Sequence, residues 1–499
     1  MATGMVEKKV DEDNAAASII SSLPVKEIPG TCNHSLASRI KTRLDFYYKQ
    51  REEEFFRSRI AAHGSTVFRV NMPPGPFMAA NSRVVALLDA KSFRVLLDVS
   101  KVEKKNVLTG TYVPPVALTG GHRMCAYLDP SEPDHARVKQ LVFNLVAARK
   151  DFFIPVFRSN FGALFEAMDA QVASASGKSD FNKLSDAAVF DYFCEACFGV
   201  RPSATALGST GPTRATKWLL PQIAPLMTLG LPTLLEELFL HTFPLPPCLF
   251  SSNYKALYRY FESAASSTLD DAEKLGLDRK EACHHILFVA IFNAFGGFKA
   301  ALPGIFGLVA KAGPSLHSQL ADEIRSAVAA EGGEVTLAAV GRMELTHSVV
   351  YEALRLDPPV KYQYGKAKAD LIIENHVAAY QVKKGEMLLG YQPCATRDPK
   401  VFGPNADEFV ADRFVGSAGR KLLQYVVWSN GPETEDPTVG NKQCAGKDLV
   451  VLVGRLLLVE FFLRYDTFTA GVGTVLLGKQ VDVTSLSKAT GGAATTVQS

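Results

Sequence analysis

A single cysteine, set between a glycine-punctuated loop and a long apolar run, constrains this chain more than any other feature. The loop reads Trp428-Ser-Asn-Gly431-…-Asn441-Lys-Gln-Cys444-Ala-Gly446, and Asp448-Leu-Val-Val-Leu-Val-Gly-Arg-Leu-Leu-Leu-Val-Glu-Phe-Phe-Leu follows it. That run is long and leucine-rich enough to be a buried helix. A cysteine just ahead of a helix N-terminus lies beside free backbone N–H groups and the positive end of the helix dipole. Both favour thiolate over thiol. Taken alone, the loop is equally compatible with a buried structural cysteine, since free cysteine is commonly buried.

Two upstream motifs break the tie. Glu352-Ala-Leu-Arg355 and Asp412-Arg413-Phe414 precede the loop in that order. A thiolate so placed can be the axial ligand of a haem iron, where it favours O–O cleavage. Together the three elements resemble the Glu-x-x-Arg helix, the meander arginine and the haem-cysteine loop of the cytochrome P450 superfamily. The usual loop there reads Phe-x-x-Gly-x-x-x-Cys-x-Gly. Here Trp428 takes the aromatic place and Gly431 follows at the correct step, but the cysteine comes nine residues late, at 444 rather than 435. That displaced cysteine is similar to the fatty-acid-hydroperoxide branch of plants: allene oxide synthases, hydroperoxide lyases and divinyl ether synthases. The resemblance runs from about residue 30 to the end.

The resemblance implies a mainly α fold with small β-sheets, a single-domain cytochrome P450-like fold holding haem b between a central buried helix and the cysteine loop. Its catalytic domain spans 31–487, with 1–30 read as a disordered N-terminus and 488–499 as a flexible tail. Cys444 is the implied iron ligand. Glu352 and Arg355 sit three apart on one helix face, so they can pair with each other and with Arg413, bracing the cysteine loop. Lys104, His135 and Lys139 match positions that hold the haem propionates in allene oxide synthases, through charge-assisted hydrogen bonds. Lys442 in the loop is grouped with them as a cofactor-binding cation. Without the resemblance, these cations read as a solvated helix face.

The central helix is expected over Glu281–Leu302, ended by Pro303. From Ile286 to Phe298 every residue is apolar or glycine except Asn293. A helix apolar all round is buried, so Asn293 either satisfies a neighbour or faces a cavity. Phe-Asn-Ala-Phe-Gly-Gly-Phe-Lys299 matches the hydroperoxide branch and makes Asn293 the expected catalytic and substrate-binding amide. Oxygen-activating members carry an acid and an alcohol after the glycines; Phe298 and Lys299 stand here instead, which argues against monooxygenation. Lys299 reads equally as a hold for a substrate carboxylate and as a snorkelling lysine.

By resemblance, the substrate is a fatty-acid hydroperoxide, and the reaction is allene oxide synthesis. O–O homolysis gives an alkoxyl radical, which closes to an epoxyallylic carbon radical. Oxidation to a cation and proton loss then complete a net dehydration without dioxygen, NADPH or a reductase. Leu108 departs from the phenylalanine common in allene oxide synthases. An aliphatic residue there resembles hydroperoxide lyases, which cut the chain to aldehydes, and lyase chemistry is the alternative. A conventional monooxygenase is the weaker third reading.

Composition excludes little else. The 499 residues are 21% charged with a net charge of +3, which gives no reason to expect nucleic acid. Eight scattered cysteines form no disulfide framework. Glu7, Asp11, Glu12 and Asp13 crowd the start, unlike a signal or a typical transit peptide. The compartment therefore stays open between a plastid membrane, by resemblance, and the cytoplasm. The uncharged run Trp218–Leu235 and the aromatic, proline-rich stretch to 250 read as a buried channel wall or a peripheral membrane patch. Pro221, Pro225 and Pro232 exclude a continuous spanning helix there. A helix is expected over Ser82–Leu88.

Overall fold

The central helix runs from Arg279 to Ala312, ten residues past the end expected from Pro303. Asp278 caps it, its carboxylate accepting the Glu281 N–H at 3.0 Å. An interior proline removes one backbone hydrogen bond and costs about 3 kcal/mol. Here Ala301, Leu302, Pro303, Gly304, Ile305 and Phe306 are all buried, and that packing outweighs the cost. Within the same helix Val289–Phe295 is wound as a π turn, one residue wider than an α turn. The structure, a computed structural model, describes residues 22–32, 35–75, 77–79, 81–107, 112–475 and 478–490.

Around this helix pack Phe181–Phe198, the Glu-x-x-Arg helix Glu344–Leu356, the helix Lys447–Arg464 that follows the cysteine loop, and the hairpin Tyr465–Val475/Gly478–Lys488. Phe306 anchors the layer, stacked on Phe468 at 4.5 Å and edge-on to Phe461 at 5.0 Å. Gly454 marks where three helices cross: a side chain there would begin 3.0 Å from Val350 and 3.1 Å from Ile305. The two helices that carry the cysteine loop and its brace are thereby fixed against the central helix.

A five-stranded sheet flanks the helical body, in the order Val67–Asn71, Arg83–Leu87, Met387–Tyr391, Tyr362–Ala367, Val102–Glu103. Residues 82–88 are thus a strand rather than the expected helix. Four of the five strand residues are buried, Val84 and Val85 among them, and β-branched side chains suit a strand covered on both faces. The expected disordered N-terminus is also corrected in part: Val25–Lys26 pairs in parallel with Ala379–Tyr380, while residues 1–21 lie outside the described residues. At the other end Ala489 N–H donates to Arg464 O and Thr490 N–H to Asp466, both at 3.0 Å, so the chain is tied down through 490.

Gly454→Leu is expected to overpack the helix crossing at a cost of about 1–3 kcal/mol. The urea midpoint of the haem-loaded protein should fall; an unchanged midpoint would show that the helices part there freely.

Candidate active site

The cysteine loop is a folded-back structure held by its own backbone. Ser429 adopts a left-handed conformation (φ 58°), and Trp428 N–H donates to Gly431 O at 2.7 Å. Cys444 N–H donates to Trp428 O at 3.2 Å, which closes the loop on itself. Gly431 is required by close approach, because a Cβ there would lie 2.6–2.8 Å from the Gln443 side chain. Gln443 Nε2 donates to Pro432 O at 2.7 Å and Glu435 O at 2.9 Å. Asn441 Oδ1 accepts from the N–H groups of Thr438 and Gln443 at 3.1 and 3.2 Å. Much of the extra segment is therefore held by its own hydrogen bonds, although Glu433 Oε2 and Gln443 Oε1 are buried without a partner among the described residues. The segment is tied outward as well: Tyr351 Oη donates to Glu433 at 2.7 Å, and Lys447 Nζ to Glu433 O at 2.8 Å. Sequence reading had not singled out Tyr351, Glu433, Asn441, Gln443 or Lys447. The only signal was the polar character of the insertion.

Cys444 precedes the helix Lys447–Arg464, as expected. Burial nevertheless pushes its thiol above the ordinary value, outweighing the Gly446 N–H and the Lys139 charge, which pull it down. The helix end alone does not yield a thiolate here. A coordinated metal would, because metal-bound thiols are deprotonated outright.

Beneath the loop, Glu352 and Arg355 are fully buried and doubly bonded, Nε to Oε2 at 2.6 Å and Nη2 to Oε1 at 2.8 Å. Arg413 Nε reaches the same Glu352 Oε1 at 2.9 Å, and Val410 N–H at 3.0 Å. Arg355 also donates to the carbonyls of Thr396 and Ala406, at 3.0 and 2.7 Å. The three sequence-picked residues do form one network.

The four cations converge as well. Lys104, His135 and Lys139 are buried, and the charge of Lys442 depresses all three. Burial is the larger cause, and the results are about 7 for Lys104, about 4 for His135 and about 8 for Lys139. Among the described residues no carboxylate lies within ion-pair distance of these lysines. Among the described residues Lys104 Nζ donates once, to Tyr364 O at 2.7 Å. Lys139 Nζ donates to Asn441 O and Oδ1 at 2.6 and 2.9 Å, and His135 Nδ1 meets Val439 O at 3.2 Å. Both lysines keep hydrogens for a further acceptor, and His135 gains one at Nε2 when its ring is protonated. Lys442 differs: its Nζ contacts the carbonyls of Cys125, Ala126 and Leu128 at 2.9–3.0 Å, which uses all three hydrogens and ties the loop to that turn. Buried like charges without counter-ions are costly. The donor set fits an anionic group beside Cys444, such as the two propionates of haem.

Asn293 lies within the π turn and is exposed, while Ile291 and Phe295 on either side are buried. Its amide has no hydrogen-bond partner among the described residues, so of the two expectations it faces open space rather than a neighbour. Lys299 is ion-paired with Asp186 on the helix Phe181–Phe198. A substrate carboxylate would have to share or displace that partner. Leu108 lies outside the described residues.

Cysteine loop, buried brace and cation cluster define a haem-thiolate protein. The cytochrome P450 family model matches residues 301–471. Over 94% of this chain, allene oxide synthase 2 of Oryza sativa subsp. japonica is 64% identical, covering 97% of the relative. The chloroplastic allene oxide synthases of Linum usitatissimum and Arabidopsis thaliana are 54% and 52% identical over the same share, covering 87% and 90% of the relatives. The chain belongs to the allene oxide synthase branch of the cytochrome P450 family.

Glu352→Gln should leave two guanidinium groups buried without their counter-charge, at about 3–5 kcal/mol. The expected result is loss of the thiolate-ligated ferrous–CO spectrum in the purified protein. An unaltered spectrum and unfolding midpoint would remove the network from its bracing role.

Proposed function

We propose that this chain is an allene oxide synthase, a carbon–oxygen lyase that dehydrates polyunsaturated fatty-acid hydroperoxides to allene oxides in oxylipin and jasmonate biosynthesis. The relatives just described, similar along nearly the whole chain, carry this reading. The residues agree with it. The helix offers one amide, Asn293, and no acid–alcohol pair for delivering protons to dioxygen. A hydroperoxide already contains both oxygens and the oxidising power, so neither reductase nor NADPH is required.

Cys444 is the thiolate ligand, while Lys104, His135 and Lys139 hold the propionates. Lys442 keeps the loop in register with residues 125–128 and adds its charge. Haem bound there supplies one-electron cleavage of the O–O bond and takes the electron back from the carbon radical. Asn293 donates to the hydroperoxide and holds it over the iron site; orientation of this kind lowers a barrier by several kcal/mol. The apolar helix around it keeps water from the radical and cation stages. Lys299, paired with Asp186, could take a substrate carboxylate or serve only in that ion pair. An aliphatic residue at 108, where allene oxide synthases commonly carry phenylalanine, favours the second reading, hydroperoxide lyase.

A peripheral membrane contact belongs to the same reading. Trp218, Leu219 and Met227 are buried and form core, but Leu229, Leu231, Leu234, Leu235, Leu238 and Phe239 are exposed. Phe243 extends the patch by stacking on exposed Phe77 at 5.1 Å. Exposed apolar surface on this scale marks an interaction site, and an acyl hydroperoxide arrives from a lipid surface. The plastid is the compartment assigned, supported by the chloroplastic naming of relatives.

Purified haem protein, given a linolenic acid hydroperoxide without NADPH, should yield an α-ketol or cyclopentenone within seconds. Short aldehydes with an oxo-acid would make it a lyase, and no consumption would sink the hydroperoxide reading. Cys444→Ser should abolish turnover. Asn293→Ala should keep haem and slow turnover about 100-fold; unchanged turnover would remove Asn293 from the mechanism.

The membrane contact is tested by co-sedimentation with lipid vesicles. Leu234→Ser combined with Phe239→Ser should weaken binding at least about tenfold, given about 1.5–3 kcal/mol per buried apolar side chain. Equal binding would place the contact elsewhere.

A further inference from the structure

The surface helix Leu36–Leu44 forms one wall of a cleft that the reaction does not use. Ser35 caps the helix, its side chain accepting the Ser38 N–H at 3.2 Å. Leu36, Arg39, Ile40 and Arg43 recur at the spacing of one helix face, and all four line the cleft. The facing wall is apolar: Met72, Pro73, Pro74, Phe77 and Ala79, from the loop after the strand Val67–Asn71. That loop is held in place, Met72 N–H donating to Ser82 O at 2.7 Å and Gly75 N–H to His241 O at 2.9 Å. The two arginines differ. Arg43 Nε reaches Glu237 Oε2 at 2.6 Å. Arg39 has no ion-pair partner among the described residues, and its Nε is buried without a hydrogen-bond acceptor. A guanidinium nitrogen buried bare is costly, and no acid lines the cleft to relieve it.

We propose that this cleft binds the carboxylate end of a long-chain fatty acid, at a site separate from the haem. Arg39 takes the carboxylate through the guanidinium fork, whose two parallel N–H donors match the two oxygens. The apolar wall takes the first carbons of the chain. The cleft holds about 200 Å³, below the roughly 300–1,000 Å³ of a site that encloses a small molecule. The rest of the chain therefore lies outside, along Phe77 and its stacking partner Phe243 at 5.1 Å, both exposed. Inorganic phosphate would use the arginine and leave the hydrocarbon wall uncovered; an uncharged lipid would do the reverse. A fatty acid uses both. None of Lys104, His135, Lys139, Asn293, Lys299 or Cys444 lines the cleft. The recognised features are the carboxylate and the chain, so an unreactive fatty acid fits as well as one that carries a hydroperoxide.

The test uses palmitic acid carrying a photoreactive diazirine on its chain, a probe with no hydroperoxide to turn over. Irradiated with the haem-loaded protein below its micelle concentration, it should label peptides from 36–43 and 71–79. Arg39→Gln should cut that labelling about 10–100-fold, the worth of a hydrogen bond to a charged group, with the haem spectrum unchanged as the check on folding. Arg39→Lys, which keeps the charge and loses the fork, should fall between. Labelling that Arg39→Gln leaves intact, or labelling confined to the haem site, overturns the proposal. Protection by inorganic phosphate as strong as protection by unlabelled palmitic acid would make the cleft a free-anion site and overturn it too. Since the probe is not a substrate, the result is independent of which reaction the haem site performs.

Discussion

Everything near the cysteine depends on one guanidinium that water never reaches. Arg355 is fully buried, and burial lowers its pKa against the pull of Glu352. Its five donors go to one carboxylate and three backbone carbonyls, from residues 396, 406 and 408. Such a pair is a weak source of net stability, because desolvation offsets most of its attraction. Its value is geometric: only one path of the chain from 396 to 413 brings all those carbonyls into range. Arg413 then bonds the same carboxylate, and the next residue, Phe414, donates its N–H to Ser348 on the Glu-x-x-Arg helix at 2.9 Å. The segment entering the cysteine loop is therefore pinned to that helix by hydrogen bonds that have no alternative partner.

The motifs that were legible in the sequence are those whose physics is local or whose spacing is rigid. Glu352 and Arg355 share a helix face by periodicity alone, and a polar residue in an apolar helix marks itself, as Asn293 did. What could not be read is what depends on the third dimension. Residues 82–88 have no helical cap and too short a span to declare a period, and pairing with Val67–Asn71 on one side and Met387–Tyr391 on the other makes them a strand. Pro303 is a legitimate stop signal, overruled by packing on every side of its helix. The π turn has no composition signature, although it sets which face Asn293 shows. Lys299 was ambiguous because its partner, Asp186, lies 113 positions away.

The run 218–250 shows a different limit. One apolar composition supports both a core wall and a surface patch, and the structure uses it for both. Trp218 is fully buried, whereas Leu234 is 80% exposed. Hydropathy reports that a segment avoids water; it does not report whether protein or lipid does the covering.

The site as the chain builds it is unfavourable in two respects, and both have the same remedy. Lysines and a histidine are gathered in the interior with Asp129 acting at a distance and, among the described residues, no carboxylate in ion-pair distance, so burial disfavours their charged forms. The desolvated surroundings of Cys444 favour its thiol form over the thiolate. Repacking with apolar residues would relieve each fault separately. A haem relieves both together, its propionates supplying the missing negative charge and its iron replacing the thiol proton. Cofactor binding would therefore stabilise the folded site by mass action. On the opposite face of the iron site little is asked of the protein. A hydroperoxide brings its own oxidant, and the central helix offers one amide, Asn293, in an otherwise apolar stretch. That asymmetry, many polar contacts around the cysteine loop and a single amide in the apolar central helix, suits the rearrangement of a hydroperoxide better than proton-coupled oxygen activation.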